Sequence, residues 1–230
     1  MYGLMSERPL LISSLLEHAA RYHGNTEIIS SDSDSNITRS NYKKVNTRAK
    51  KIAQALLKLG AQKSDTIATM AWSNVRHYEL YFGVSGIGSI CHTINPRLFP
   101  EQLIFIINDA KDKFLFIDID FIPLIESLIS KISIIKKIIV LCDKDQMPKS
   151  SIIKNLICYE ELLDKENGKF EWPTFDERTA SSLCYTSGTT GNPKGVLYGH
   201  RSTVIHAFAA AAPDAMNLSA KDVIMPIAPM

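Results

Sequence analysis

Cysteine is scarce in this chain and badly placed for metal or redox work. The four thiols, Cys91, Cys142, Cys158 and Cys184, lie far apart and form no Cys-x-x-Cys pair. Zinc and thioredoxin-type chemistry are therefore unsupported, and reduced, buried thiols are the expected state. The six histidines include no pair at the helical spacing that metal sites favour. Long apolar runs are missing too: stretches such as Ala207 to Ala212 fall far short of the roughly 20 residues a bilayer-spanning helix needs. Met1 to Pro9 contains Glu7 and no sustained apolar core, so no secretory signal is read there. One-signed charge is absent as well. The net charge of +2 argues against a dedicated nucleic-acid binder, which would carry a strongly basic face. What is left is a cytoplasmic, globular chain of 230 residues, 45% hydrophobic, long enough for one or two domains with a buried core.

Hydrophobic periodicity organises the chain. Leu10 to His23 carries a helical stripe that Gly24 can end, and Glu27 to Ser30 is a short strand before a turn at Ser31 to Ser35. Tyr42, Val45, Ala49, Ile52, Leu56 and Leu59 repeat at steps of three and four. They form one apolar helical face, with Ser40 as the expected N-cap and Gly60 as the stop. The opposite face, with Lys43, Lys44, Lys50 and Lys51, reads as solvated. Thr66 to Ala71 is a buried strand, and Asn74 caps a helix through Tyr78 and Phe82. A further strand ends at Asn95-Pro96, because the proline excludes helical geometry before it. Helices are expected over Pro100 to Ala110, Phe121 to Ile132 and Arg201 to Ala212. Strands are expected over Phe114 to Ile117, Lys137 to Cys142 and Val223 to Ala228. Asp143 to Ser151 reads as a polar loop, and Asp164 to Arg178 as a surface crossing. Alternating helix and strand implies an α/β fold with a largely parallel sheet.

One stretch states its chemistry openly. From Leu183 to Val196, four hydroxyl side chains (Thr186, Ser187, Thr189, Thr190), three glycines (Gly188, Gly191, Gly195) and Lys194 sit between two short apolar runs. Glycine lets a backbone approach an anion, hydroxyls add donors, and the lysine adds a compact positive charge. These are parts of a phosphate cradle. It is not the P-loop of nucleotide hydrolases, in which Gly-Lys-Ser/Thr opens a helix. Here Lys194 lies between Pro193 and Gly195, and the apolar run after it reads as another strand. An unliganded surface hairpin needs only about two to five loop residues, whereas this one spends nine, from Thr186 to Lys194.

The ungapped run from Leu183 to Lys194 resembles the phosphate-binding motif of the adenylate-forming superfamily, which includes acyl-CoA synthetases, luciferases and peptide-synthetase adenylation domains. The resemblance implies ATP binding by Thr186, Ser187, Gly188, Thr189, Thr190, Gly191 and Lys194, on the β- and γ-phosphates that leave as pyrophosphate. Read alone, His92 fits a hydrogen-bonded structural histidine and Arg97 a surface ion pair. As a segment, His92-Thr93-Ile94-Asn95-Pro96-Arg97-Leu98 resembles acyl-CoA ligases for fatty and related carboxylic acids, in particular the medium-chain branch and ligases for methylthiopropionate. His200-Arg201 is read as structural, ordering a strand-to-helix turn. Similar sequences place Ser or Thr before that histidine, where this chain has Gly199.

The fold implied is the N-terminal part of the large adenylate-forming domain, with mixed, mostly parallel sheets flanked by helices over residues 1–230. By the same resemblance, the acyl pocket, the Mg²⁺-binding glutamate and a small C-terminal domain with the catalytic lysine follow Met230, so no catalytic residue is assigned within the chain. The reaction implied joins a carboxylic acid to CoA through an acyl-adenylate, with ATP, CoA and Mg²⁺ required. The alternative reading is a truncated, non-catalytic nucleotide-binding or interaction module. Acyl identity and any homo-oligomer stay open.

Overall fold

The computed structural model describes residues 3–5, 7–31, 36–186 and 192–227. Helix α1 (Ile12–Tyr22) leads into a small antiparallel hairpin of β1 (Glu27–Ser31) and β2 (Ile37–Asn41). Helix α2 (Tyr42–Lys58) follows without a break. Asn41 Oδ1 accepts the Lys44 N–H at 2.9 Å, satisfying one of the free amides of the first turn. Ser40, the expected cap, lies one residue before Asn41, which takes the cap position. At the other end Gly60 takes φ 89°, the left-handed conformation that closes a helix.

Then come β3 (Thr66–Met70), α3 (Val75–Ser85), β4 (Ile90–Thr93), α4 (Pro100–Asp109), β5 (Phe114–Ile117), α5 (Ile122–Leu128), β6 (Lys137–Val140), β7 (Ile157–Cys158), α6 (Tyr159–Asp164), β8 (Ala180–Thr186), β9 (Lys194–Gly199) and α7 (His200–Ala211). Seven strands form one sheet in the order β7-β6-β5-β3-β4-β8-β9. Every neighbouring pair is parallel except β8 and β9.

Both faces of the sheet are covered, which is why its central strands are continuous apolar runs; all four residues of β5 are buried. On one face Leu103 and Ile106 of α4 and Ile125 of α5 pack on Ala68, Leu115 and Val140. On the other, Ile52 and Leu56 of α2, Leu80 of α3 and Leu162 of α6 pack on Ile67, Phe116 and Ile139. Helices α2 and α3 approach closely at Gly83, where an added Cβ would lie 2.6 Å from Ile52 Cγ2 and 3.1 Å from the Ala49 carbonyl oxygen. Alanine suits a helix better than glycine by about 1 kcal/mol. Overpacking nevertheless dominates, and Gly83→Ala is expected to destabilise by about 1–3 kcal/mol. A thermal melt unchanged from wild type would show that the two helices part without cost.

Four expectations need correction. The helix read over Phe121 to Ile132 is α-helical only at Ile122–Leu128, with 3-10 turns at Ile119–Phe121 and Ile129–Lys131. The segment before β8 is no mere surface crossing, because Phe170 and Trp172 pack against the α2–α3 core. Residues 223–227 form no strand and lie exposed, with Val223 99% accessible; Ala228 lies outside the described residues. An apolar run becomes a strand only beside a partner strand, and none of the described residues offers one there. The loop after β8 is also shorter than nine residues, since Thr186 and Lys194 both belong to strands. Among the described residues no helix is long and apolar enough to cross a membrane.

Candidate functional site

The hairpin of β8 and β9 places the candidate loop. Its ladder runs from Ala180↔Gly199 to Thr186↔Lys194, so the last pair brings two of the implied phosphate ligands face to face. The Thr186 hydroxyl points at the Lys194 carbonyl oxygen, 3.5 Å away. Ser187, Gly188, Thr189, Thr190 and Gly191 lie outside the described residues. Because β8 is parallel to β4, the loop leaves the carboxyl end of the sheet, the end at which open α/β sheets bind ligands. Lys194 is exposed and has no carboxylate partner among the described residues. A cation left unpaired at a loop rich in hydroxyls and glycines suits a polyphosphate.

The second segment singled out by the sequence emerges beside it. Strand β4 pairs with β8 through Thr93↔Cys184, so His92 to Leu98 and the phosphate loop leave the sheet side by side. The two parts play different roles. His92 is fully buried, with Nδ1 2.8 Å from Asp112 Oδ2, and its ring stands 5.2 Å from that of Tyr185. Burial pushes the Asp112 carboxyl up, and its bond to His92 opposes that shift. Arg97 is exposed and, among the described residues, has no ion-pair partner, contrary to the surface pair its residue type suggested.

His200 is structural, as expected, but it orders more than its own turn. It is fully buried, and its Nδ1 accepts the Ile12 N–H at 3.2 Å, at the start of α1. Beside it Glu177 accepts the Leu10 N–H at 2.7 Å and pairs with Arg201. The turn from β9 into α7 therefore holds the N-terminal segment. Gly199 cannot supply a side-chain hydroxyl here, and its carbonyl oxygen instead accepts the hydroxyls of Ser202 and Thr203.

Sequence reasoning missed a charged network at the far side of the sheet's carboxyl end, around a cleft of about 530 Å³. Arg48 Nε donates to the buried Glu79 at 2.6 Å, and its two terminal nitrogens donate to Glu160 at 2.9 Å each. Arg76 donates to Glu160 and Asp143, and the Tyr159 hydroxyl donates to Glu79 at 2.7 Å. Burial would lower Arg48, but Glu79 and Glu160 outweigh it and hold the guanidinium above its usual range. These charges satisfy one another, so the network braces α2, α3 and α6 rather than offering a free binding surface. Among the described residues no cluster of three or more His, Cys, Asp or Glu side chains could hold a metal ion.

Comparison with known proteins places this geometry. Residues 15–230 match the family described as AMP-binding enzyme. The chain is 51% identical over 230 residues to a 3-methylmercaptopropionyl-CoA ligase of Ruegeria lacuscaerulensis and 49% identical to a medium-chain-fatty-acid–CoA ligase of Ectopseudomonas oleovorans. In both cases the match takes in 100% of this chain and 42% of the relative. The chain thus spans less than half the length of the curated relatives it matches. In fold it is similar to an anthranilate CoA ligase solved with anthranoyl-AMP, at TM-score 0.76 and 22% identity, over 87% of this chain and 37% of the other. A luciferase of Phrixothrix hirtus superposes with TM-score 0.75 and 22% identity, over 90% of this chain and 51% of that one. With a match that runs from α1 to the last residue, the chain belongs to the AMP-binding enzyme family.

Proposed function

We propose that residues 1–230 are the phosphate-holding portion of the adenylation domain of an ATP-dependent acid–thiol ligase, which activates a fatty or related carboxylic acid as its acyl-adenylate before transfer to CoA. The observation that carries this reading is the Thr186↔Lys194 pair, which closes the hydroxyl- and glycine-rich loop at the carboxyl end of the sheet with a cation at its foot that has no carboxylate partner among the described residues. The names of the 51% and 49% identical relatives support an aliphatic or thioether acid as the substrate class.

A carboxylate is a poor electrophile, and ATP supplies the group that makes its oxygen a leaving group. The chain's own residues act on the departing end. Lys194 and the hydroxyls of Thr186, Ser187, Thr189 and Thr190 hold the β- and γ-phosphates and offset the charge that develops there. Mg²⁺ would supply further charge neutralisation to the phosphates, and among the described residues no cluster of three or more His, Cys, Asp or Glu side chains could hold it.

Lys194→Ala is expected to lower carboxylate-dependent ATP–pyrophosphate exchange by about tenfold to a hundredfold in the complete polypeptide, the worth of a charge-assisted contact. Exchange at the wild-type rate would remove Lys194 from the phosphate site. ATP binding with no exchange under any carboxylic acid would favour the non-catalytic nucleotide-binding module.

A further inference from the structure

We propose that Tyr185 is a positioning residue for the phosphate loop, pinning the loop's foot to β4, β9 and α4 at once. The proposal rests on the reading of Thr186 and Lys194 as the ends of that loop. Tyr185 immediately precedes Thr186 and faces Gly195 across the β8–β9 ladder. A Cβ at Gly195 would lie 3.1 Å from Tyr185 Cζ and 3.4 Å from Cε1, so the tyrosine ring lies across bare backbone of the opposite strand. Glycine at 195 is thereby explained by contact, not by backbone conformation. On its other side the ring meets His92 of β4, which Asp112 holds in place. At its tip the hydroxyl donates to Asp109 Oδ2 at 2.6 Å, at the last residue of α4.

The chemistry of these contacts suits a latch. Burial and the neighbouring Asp109 both raise the Tyr185 hydroxyl, which keeps it protonated and donating. Asp109 and Asp112 flank the single turn that joins α4 to β5, so one turn holds side chains of two adjacent strands, β4 and β8. Both strands end at the carboxyl edge, where the phosphate loop departs. A ligand loop can bind a polyphosphate at little ordering cost only if its two feet are already fixed. Thr186 and Lys194 are fixed to each other by the ladder, and Tyr185 ties that pair to the rest of the fold.

Two measurements on this chain test the idea. In the first, with no nucleotide present, Tyr185→Phe should speed amide hydrogen exchange at Thr186 and Lys194 by about five- to tenfold through local opening, leaving Ile67 to Met70 of β3 unchanged. Asp109→Ala should do the same, and the double variant should exchange no faster than either single one, because both remove one bond. Gly195→Ala, whose added methyl presses on Tyr185 Cζ and on Leu183 Cδ1 at 3.1 Å each while leaving the hydroxyl and its acceptor in the chain, should loosen the same two amides. Unchanged exchange at Thr186 and Lys194, or equal acceleration across the whole sheet, overturns the proposal. In the second, ATP titration should give a dissociation constant about five- to tenfold weaker in Tyr185→Phe with the same number of sites. A merely structural loss would lower the number of competent sites and leave the constant alone, and that result also overturns the latch. Failure of the wild-type chain to bind ATP at all would instead sink the phosphate reading of the loop.

Discussion

Arg48→Ala is expected to destabilise the protein by about 3–5 kcal/mol, the cost of removing one partner from a buried ion pair and leaving the other charged. The side chain of Glu79 is 1% exposed and that of Arg48 29%, so the carboxylate is the member stranded by the substitution. Glu160 keeps its bond to Arg76, whereas Glu79 retains only the Tyr159 hydroxyl. Burial already pushes the Glu79 carboxyl up against the opposing pull of Arg48. Without the guanidinium that rise grows, and stability held by a protonated Glu79 is lost as pH rises through its folded pKa. Two signatures separate stranded charge from lost packing. The deficit of Arg48→Ala in chemical denaturation should shrink as pH falls, and adding Glu79→Gln should recover part of it. A deficit constant with pH and untouched by Glu79→Gln would mean that the arginine acts by packing alone.

That network was invisible in the sequence for a physical reason. Arg48 lies 31 residues from Glu79 and 112 from Glu160, and charges so far apart become neighbours only once the sheet has brought α2, α3 and α6 together. Elements coded locally were legible. The apolar stripe of α2, the proline that opens α4 and the four buried residues of β5 each carry their signal within a few positions. Strand β7 has two residues and α6 six, too short for any periodicity to register. The cap of α2 lies one residue after Ser40 because β2 runs directly into the helix, leaving two polar residues side by side, both paired with β1, of which Asn41 is the one next to the first helical residue.

The candidate site divides in the same way. Loop composition marked Thr186 and Lys194, and the ladder that makes them a pair follows from the two flanking strands. Tyr185 stood inside the same motif with no role, because its partner Asp109 is 76 residues away and unremarkable on its own helix. His92 and His200, which read from sequence as structural histidines, are both fully buried, yet the groups they hold, Asp112 and the Ile12 amide, come from distant segments.

Acid should weaken the hold of His200 on the N-terminal segment. Burial lowers its folded pKa from 6.5 to about 4, and Nδ1 must be unprotonated to accept the Ile12 N–H. The folded state therefore binds fewer protons than the unfolded chain between those two values. Stability from this group is complete above pH 6.5 and is lost progressively as pH falls through about 4. A shift of that size corresponds to about 3 kcal/mol as an upper figure. Total stability against pH is the wrong readout, because the carboxyl of Asp118, raised by burial to about 6, contributes with the opposite sign in an overlapping window. The difference between wild type and His200→Asn isolates the histidine, since asparagine offers an acceptor near the Nδ1 position and does not titrate. Above pH 7 wild type should be the more stable, and by pH 4 the gap should close by up to about 3 kcal/mol, with amide exchange at Ile12 rising in wild type alone. A gap that stays constant from pH 7 to pH 4 would show that His200 takes up its proton as readily in the folded protein as in the unfolded chain and that α1 is held by Glu177 without it.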